Sequence, residues 1–160
     1  MSIQVGDRLP EATLIKATAD GPQPLASADY FKGRRVALFS VPGAFTPTCS
    51  ARHLPGFVER ADDIRAKGVD EIACVAVNDA FVMQAWGESA GVADKVTMLA
   101  DGNGDFAKAL GLVMDGTKFG MGVRGSRWSA VVNDGVVEQL NVEEPGAFNV
   151  SSAEYMLERL

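Results

Sequence analysis

Two cysteines and one histidine make up the chain's set of soft, titratable nucleophiles and ligands, and they narrow its chemistry quickly. Cys49 ends the segment Pro42-Gly43-Ala44-Phe45-Thr46-Pro47-Thr48-Cys49, where an apolar run gives way to helical spacing. A cysteine in the first turn of a helix meets free backbone N–H groups and the positive end of the helix dipole. Both favour a thiolate over a thiol. Thr46 stands three residues earlier, close enough for its hydroxyl to lie beside the sulfur as donor or acceptor. Pro42 and Pro47 stiffen the approach and carry no N–H that needs a partner. The chemistry this spacing predicts is nucleophilic attack by sulfur. His53, four residues further on, shares the helical face of Cys49. As a general base it would make a Cys–His hydrolase, but no separate carboxylate is placed to orient it. His53 is therefore read as a residue packed behind the nucleophile. Cys74, inside Ile72-Ala73-Cys74-Val75-Ala76-Val77, is read first as a small buried hydrophobe.

The elements that must position these residues alternate between strand and helix. Ala12 to Lys16 alternates as a strand, and a Gly/Pro-rich link through Gly21, Pro22 and Pro24 follows. Val36 to Val41 is a compact apolar run, read as a buried central strand. Leu54, Phe57, Val58, Ala61 and Ile64 then recur at helical spacing until Gly68. Ile72 to Val77 is the next buried strand. Asn78 or Asp79 caps a helix whose apolar or small-residue face is read as Phe81, Val82, Ala85, Trp86 and Ser89. Val96 to Leu99 is a short strand and Phe106 to Leu110 a short helix ending at Gly111. Asn133-Asp134-Gly135 between two valine runs signals a hairpin. Ser151 with Glu154 reads as a capping box opening a last helix, Ala153 to Leu160. Strand–helix crossovers followed by a late hairpin make an α/β protein. The pattern resembles a thioredoxin-like mixed β-sheet flanked by helices, with an antiparallel edge, in a single domain spanning residues 1–160.

Counts and context exclude the other classes. Twenty-one acidic against fifteen basic residues in a chain of 160 leave a formal charge of -6, the wrong sign for a nucleic-acid partner. The longest apolar run is far too short to cross a membrane. Polar residues from Gln4 to Glu11 precede any apolar stretch, so no signal peptide is read and a cytoplasmic location is expected. Two cysteines are too few for a disulfide scaffold or an ordinary zinc site, and no cofactor is implied. Gly120-Met121-Gly122-Val123-Arg124-Gly125 has the letters of a dinucleotide fingerprint but leads into a strand rather than a helix, and reads as a flexible loop. Asp101-Gly102-Asn103-Gly104-Asp105 lacks the glycine and the glutamate a calcium loop needs. Asn149-Val150-Ser151 is a sequon without a secretion signal.

Pro-Gly-Ala-Phe-Thr-Pro-Thr-Cys, residues 42–49, is similar to the Pro-x-x-x-Thr-x-x-Cys motif of peroxiredoxins in the form used by the type II, peroxiredoxin-five-like subfamily. The resemblance continues through His53 to Phe57, Val77 to Phe81, Leu99 to Asp101, Ala109 to Gly111, Asn141 to Glu143 and Val150 to Ala153, and so covers nearly the whole chain. It implies a thiol peroxidase that reduces hydrogen peroxide and organic hydroperoxides, with antioxidant and redox-homeostatic roles. Cys49 would be the thiolate oxidised to a sulfenic acid. Thr46 would hold the peroxide, and Pro42 would shield the sulfur from bulk water. Arg127, in Ser126-Arg127-Trp128-Ser129, matches the family's active-site arginine and would stabilise charge on sulfur and on the departing oxygen. Arg124 is the backup, otherwise a solvated loop cation.

The resemblance also implies a homodimer, with loops near Phe45 and Phe81 at its interface, and recycling by glutaredoxin, glutathione or thioredoxin. Plant-like members carry a cysteine at the position of Cys74, which can resolve the sulfenic acid as a disulfide. Animal members use a cysteine near the C-terminus, where this chain has Phe148-Asn149-Val150-Ser151-Ser152. The reading adopted is a one-cysteine cycle with glutaredoxin or glutathione, and the Cys49–Cys74 disulfide is its alternative. Thioredoxin-like dithiol exchange is disfavoured. Thr46 stands where the partner cysteine of Cys-x-x-Cys would be, and no proline lies between Pro55 and Pro145 to serve opposite the motif.

Overall fold

A computed structural model describes residues 2–160 of the chain. Among these described residues nine strands and six α-helices alternate in the order expected of an α/β protein. Seven strands form one mixed sheet in the order β2-β1-β5-β4-β3-β8-β9. The ranges are β1 Thr13–Lys16, β2 Gln23–Ala26, β3 Arg35–Ser40, β4 Glu71–Ala76, β5 Thr97–Ala100, β8 Trp128–Asn133 and β9 Val136–Val142. β3, β4 and β5 run parallel, and both flanks are antiparallel. The link read through Pro22 and Pro24 is in fact β2, paired with β1 so that Pro24 faces Ile15. Pro24 is tolerated because β2 is an edge strand, where a missing N–H removes no ladder bond.

Strand alternation sorts the core into two layers. Ala37, Phe39, Ile72 and Cys74 point to one face of the sheet, while Val36, Leu38, Ala73 and Val75 point to the other. The first layer is covered by α2 (Leu54–Glu59), α3 (Ala61–Ala66), α4 (Ala80–Ser89) and α6 (Ala153–Leu157), and it contains Cys49. The second is closed by α1 (Ser27–Phe31) and α5 (Asp105–Leu110). Cys74 therefore shares a layer with Cys49, on a strand bonded on both sides. The Phe39 and Phe57 rings stack at 4.1 Å and 5° beneath the helix that carries Cys49. Such a pair contributes about 1 kcal/mol beyond its buried area.

Several local expectations shift in the structure. α4 buries Ala80, Met83, Trp86 and Gly87, so the face read from Phe81 and Ala85 is turned outward. Asp79 is its cap, accepting from the Val82 N–H at 2.8 Å. Residues 120–125 are not a loose loop. β7 (Val123–Gly125) pairs with β6 (Val113–Asp115) in a two-stranded ribbon beside the main sheet. The hairpin at Asp134-Gly135 forms as read, with both residues at positive φ. The last helix ends at Leu157, and Ser152 caps it rather than Ser151. The Ser151 hydroxyl is already engaged, donating to the Glu143 carboxylate at 2.7 Å. Among the described residues no helix is long and apolar enough to cross a membrane.

Candidate active site

The helix bearing Cys49 starts at the C-terminal end of β3, where ligands gather in open α/β sheets. Pro47 occupies its first position, where the missing N–H costs nothing. The Thr46 carbonyl opens the ladder by accepting from the Ser50 N–H at 2.9 Å. Cys49 begins a π-helical turn, Cys49–His53, in which the Leu54 N–H donates back to the Cys49 carbonyl. Pro55 explains the widening: it has no N–H for the Ala51 carbonyl, and its ring would press on that carbonyl in a tighter α-turn. The helix breaks again at Arg60, so the single run read from Leu54 to Ile64 is two helices.

Cys49 is fully buried, and Arg127 reaches it from the residue just before β8. Arg127 Nη2 donates to Cys49 Sγ at 3.0 Å, and Arg127 Nη1 lies 2.8 Å from His53 Nδ1. His53 Nε2 lies 2.9 Å from the Ser151 carbonyl, which can only accept. The ring proton is therefore on Nε2, and Nδ1 is left to accept from Arg127. Burial among Phe39, Phe57 and Phe148, reinforced by the Arg127 charge, pushes the His53 pKa down to about 3. Both ring nitrogens are committed and neither bonds Cys49. The Cys–His hydrolase arrangement is not formed.

The approach loop is built from carbonyls and one buried glycine. The Thr46 hydroxyl donates to the Gly43 carbonyl at 2.8 Å, so toward the site it has only lone pairs to offer. The Ala44 N–H is held by Asn78 Oδ1 at 2.9 Å. Arg124 is half-buried rather than solvated. Its Nε donates to Met121 O at 2.9 Å, and its Nη1 lies 3.4 Å from the carbonyls of both Pro42 and Val77. It ties the β6–β7 ribbon to the loop below it. Phe45, at the loop's tip, has φ 64, a left-handed backbone that a bulky residue seldom adopts. Pro42, Thr46 and Arg127 share the wall of an open cleft of about 740 Å³ with apolar residues including Phe119, Met121 and Pro145.

The chain as a whole matches a known family. A model of the Redoxin family matches residues 4–157. Peroxiredoxin-2B of Arabidopsis thaliana is 45% identical over 159 residues, covering 99% of this chain and 98% of its own. The chain belongs to the redoxin family, among the peroxiredoxins. Peroxiredoxin-2E-2, chloroplastic, of Oryza sativa subsp. japonica is 54% identical over 99% of this chain and 73% of its own. A crystal structure of reduced Prx3 from Vibrio vulnificus in complex with H2O2 is 51% identical, with a TM-score of 0.94 over 98% of each chain. This peroxiredoxin has the thioredoxin-like fold and is a thiol peroxidase.

Of the residues singled out in the sequence, the peroxiredoxin fold places Pro42 and Thr46 on one cleft with Arg127, and Arg127 bonds both Cys49 and His53. Cys74 does not line the cleft and is buried in β4, where burial pushes its thiol pKa well up and a Cys49 charge would push it further. Sequence reading missed Glu143 and Phe148. Glu143 is nearly buried after β9 and accepts from residues 149–151. Phe148 lies edge-on to His53 and 5.8 Å from the Arg127 guanidinium.

Proposed function

We propose that Cys49 is the nucleophile of this thiol peroxidase, with Thr46, Pro42 and Arg127 as its active-site partners. The observation that carries the reading is the 3.0 Å hydrogen bond from Arg127 Nη2 to a sulfur in the first turn of a helix. A guanidinium there stabilises negative charge on sulfur. The thiolate attacks the terminal oxygen of a hydroperoxide. The S–O bond forms as the O–O bond breaks, sulfur gives up two electrons to become a sulfenic acid, and the departing alkoxide or hydroxide takes a proton from water. The Thr46 lone pairs accept the peroxide O–H, and the second face of Arg127 balances charge growing on the leaving oxygen. Pro42 limits water at the cleft wall.

Recycling proceeds in two thiol steps. Glutathione, delivered directly or through glutaredoxin, attacks the sulfenic sulfur and releases water. A second thiol then displaces Cys49 and leaves with the first as a disulfide. The place of Cys74 inside β4, a strand paired on both sides, supports this one-cysteine cycle over an internal disulfide reduced by thioredoxin. Phe45 and Phe81, 53% and 73% exposed, support a homodimer that covers them. Two free thiols suit a reducing compartment such as the cytoplasm.

Cys49→Ser should abolish peroxide consumption, and retention of the native rate would remove the assignment. Mass spectrometry after one equivalent of peroxide, with and without glutathione, reads out recycling. A glutathione adduct on Cys49 is the expected product, and a Cys49–Cys74 disulfide in the presence of glutathione would reverse the choice of cycle. Sedimentation of Phe81→Asp tests the dimer, which should dissociate.

A further inference from the structure

Glu143 has a place in this site that reaches beyond holding a loop. Its carboxylate accepts the backbone N–H groups of Asn149, Val150 and Ser151 at 2.8–2.9 Å and the Ser151 hydroxyl at 2.7 Å. Three successive N–H groups converging on one anion make a backbone nest, here filled from within the chain. Removing the carboxylate from water would raise its pKa, but the bonds from Asn149, Ser151 and Val150 outweigh that and hold it below the usual glutamate range. A buried carboxylate is costly to keep unless its bonds are used.

Those bonds fix Ser151, whose carbonyl meets His53 Nε2 at 2.9 Å. His53 Nδ1 then lies 2.8 Å from Arg127 Nη1, and Arg127 Nη2 lies 3.0 Å from Cys49 Sγ. The main-chain N–H of Glu143 also donates to the Arg127 carbonyl at 3.1 Å. One residue thus holds Arg127 at its backbone and, through Ser151 and His53, at its guanidinium. If the Ser151 carbonyl moved away, His53 could carry its proton on Nδ1. Two N–H groups would then oppose each other and the guanidinium would lose its anchor.

We propose that Glu143 is a positioning residue for peroxide reduction: its carboxylate fixes the Ser151 carbonyl, and that carbonyl holds His53 in the Nε2–H form that locks Arg127 onto Cys49. The proposal rests on the roles given above to Cys49 and Arg127. It differs from a plain loop staple in one measurable respect: the effect of Glu143 must pass through His53.

The test is a double-mutant cycle on the rate constant for oxidation by hydrogen peroxide, joined to nitrogen-15 spectra of the imidazole. His53 is the sole histidine, so the spectrum belongs to one ring. Glu143→Gln and His53→Gln should each slow oxidation about tenfold, the order of one lost hydrogen bond. The double variant should be no slower than either single one, because both break one chain of contacts. In Glu143→Gln the ring signals should leave the pure Nε2–H pattern, and Glu143→Asp should restore part of both readouts. A native rate in Glu143→Gln, or losses that multiply while the ring signals stay unchanged, would overturn the proposal. If Glu143→Gln fails to fold, Ser151→Ala removes one of the nest's bonds and should give a smaller loss with the same dependence on His53. Full activity in Cys49→Ser would sink the underlying reading instead, so the two failures are distinguishable.

Discussion

Arg127 bridges Cys49 and His53 with the two arms of one guanidinium, 3.0 Å to the sulfur and 2.8 Å to the ring nitrogen. The fork lets one arm be fixed by a neutral acceptor while the other meets developing negative charge. Lysine keeps the charge but cannot span both partners. Arg127→Lys should therefore lower the rate constant for peroxide on the order of 100-fold, the scale of one lost preorganised donor, with the fold retained. Stopped-flow tryptophan fluorescence can follow it, because Trp86 Nε1 donates to Ser50 at 2.9 Å, next to Cys49. A loss of less than twofold would mean that charge alone matters.

The buried imidazole also sets the response to acid. His53 keeps its proton off until about pH 3 in the folded protein, against an ordinary value of 6.5. The unfolded chain therefore binds that proton first as pH falls. The stability this contributes is fully present above 6.5 and is lost on the way down toward 3, with a slope approaching about 1.4 kcal/mol per pH unit. Glu143, with its pKa lowered, adds loss of the same sign at lower pH, whereas Asp101, raised by burial, opposes it. Urea unfolding between pH 6.5 and 5 lies above the ordinary carboxylate range, and the difference between the native chain and His53→Phe separates the histidine from Asp101. Stability should fall there in the native chain, and that loss should be absent in His53→Phe.

How much of this was readable in the sequence depends on how local each determinant is. Cys49, Thr46 and Pro42 lie within eight residues, so the strand-to-helix handover and its motif are visible as a string. Arg127 was reachable only because the family resemblance spans the chain. Arg124 was misjudged because its acceptors at Pro42 and Val77 are 82 and 47 residues away. Glu143 was passed over for a similar reason, since its role depends on a loop folding back over the strand end. Phe81 and Trp86 were read on one apolar face of α4, yet Trp86 is buried and Phe81 exposed, because helical periodicity cannot tell a core aromatic from one left at the surface. Ser151 and Ser152 are chemically alike, and only the competing carboxylate decides which one caps α6.

The approach loop should be intolerant of added volume at Gly43. A methyl group there would stand 3.1 Å from Arg124 Nη1 and 3.2 Å from Thr46 Cγ2, closer than side chains normally settle. Either the arginine releases the Pro42 and Val77 carbonyls or the threonine turns away from its bond to Gly43. Gly43→Ala should cost about 1 kcal/mol of stability as a small overpacking defect. It should also slow peroxide oxidation about tenfold, a barrier change of similar size. Denaturant midpoints and stopped-flow rates check the pair. An unchanged rate would show that Thr46 need not stay in register.

Cys74 offers a test in which stability and turnover separate. The residue is fully buried on β4, among apolar neighbours of the Cys49 layer. Cys74→Ala leaves a small void and should cost about 1 kcal/mol. Cys74→Ser introduces a hydroxyl with no partner in that layer and should cost more, about 2 kcal/mol. If Cys74 is a packing residue, both variants retain peroxide turnover per folded molecule with glutathione and glutaredoxin, and only their unfolding midpoints differ. If it is the resolving thiol, the two lose turnover equally, whatever their stabilities, because each lacks the sulfur. Measuring both variants decides the cycle, since a packing defect scales with side-chain chemistry and a missing nucleophile does not.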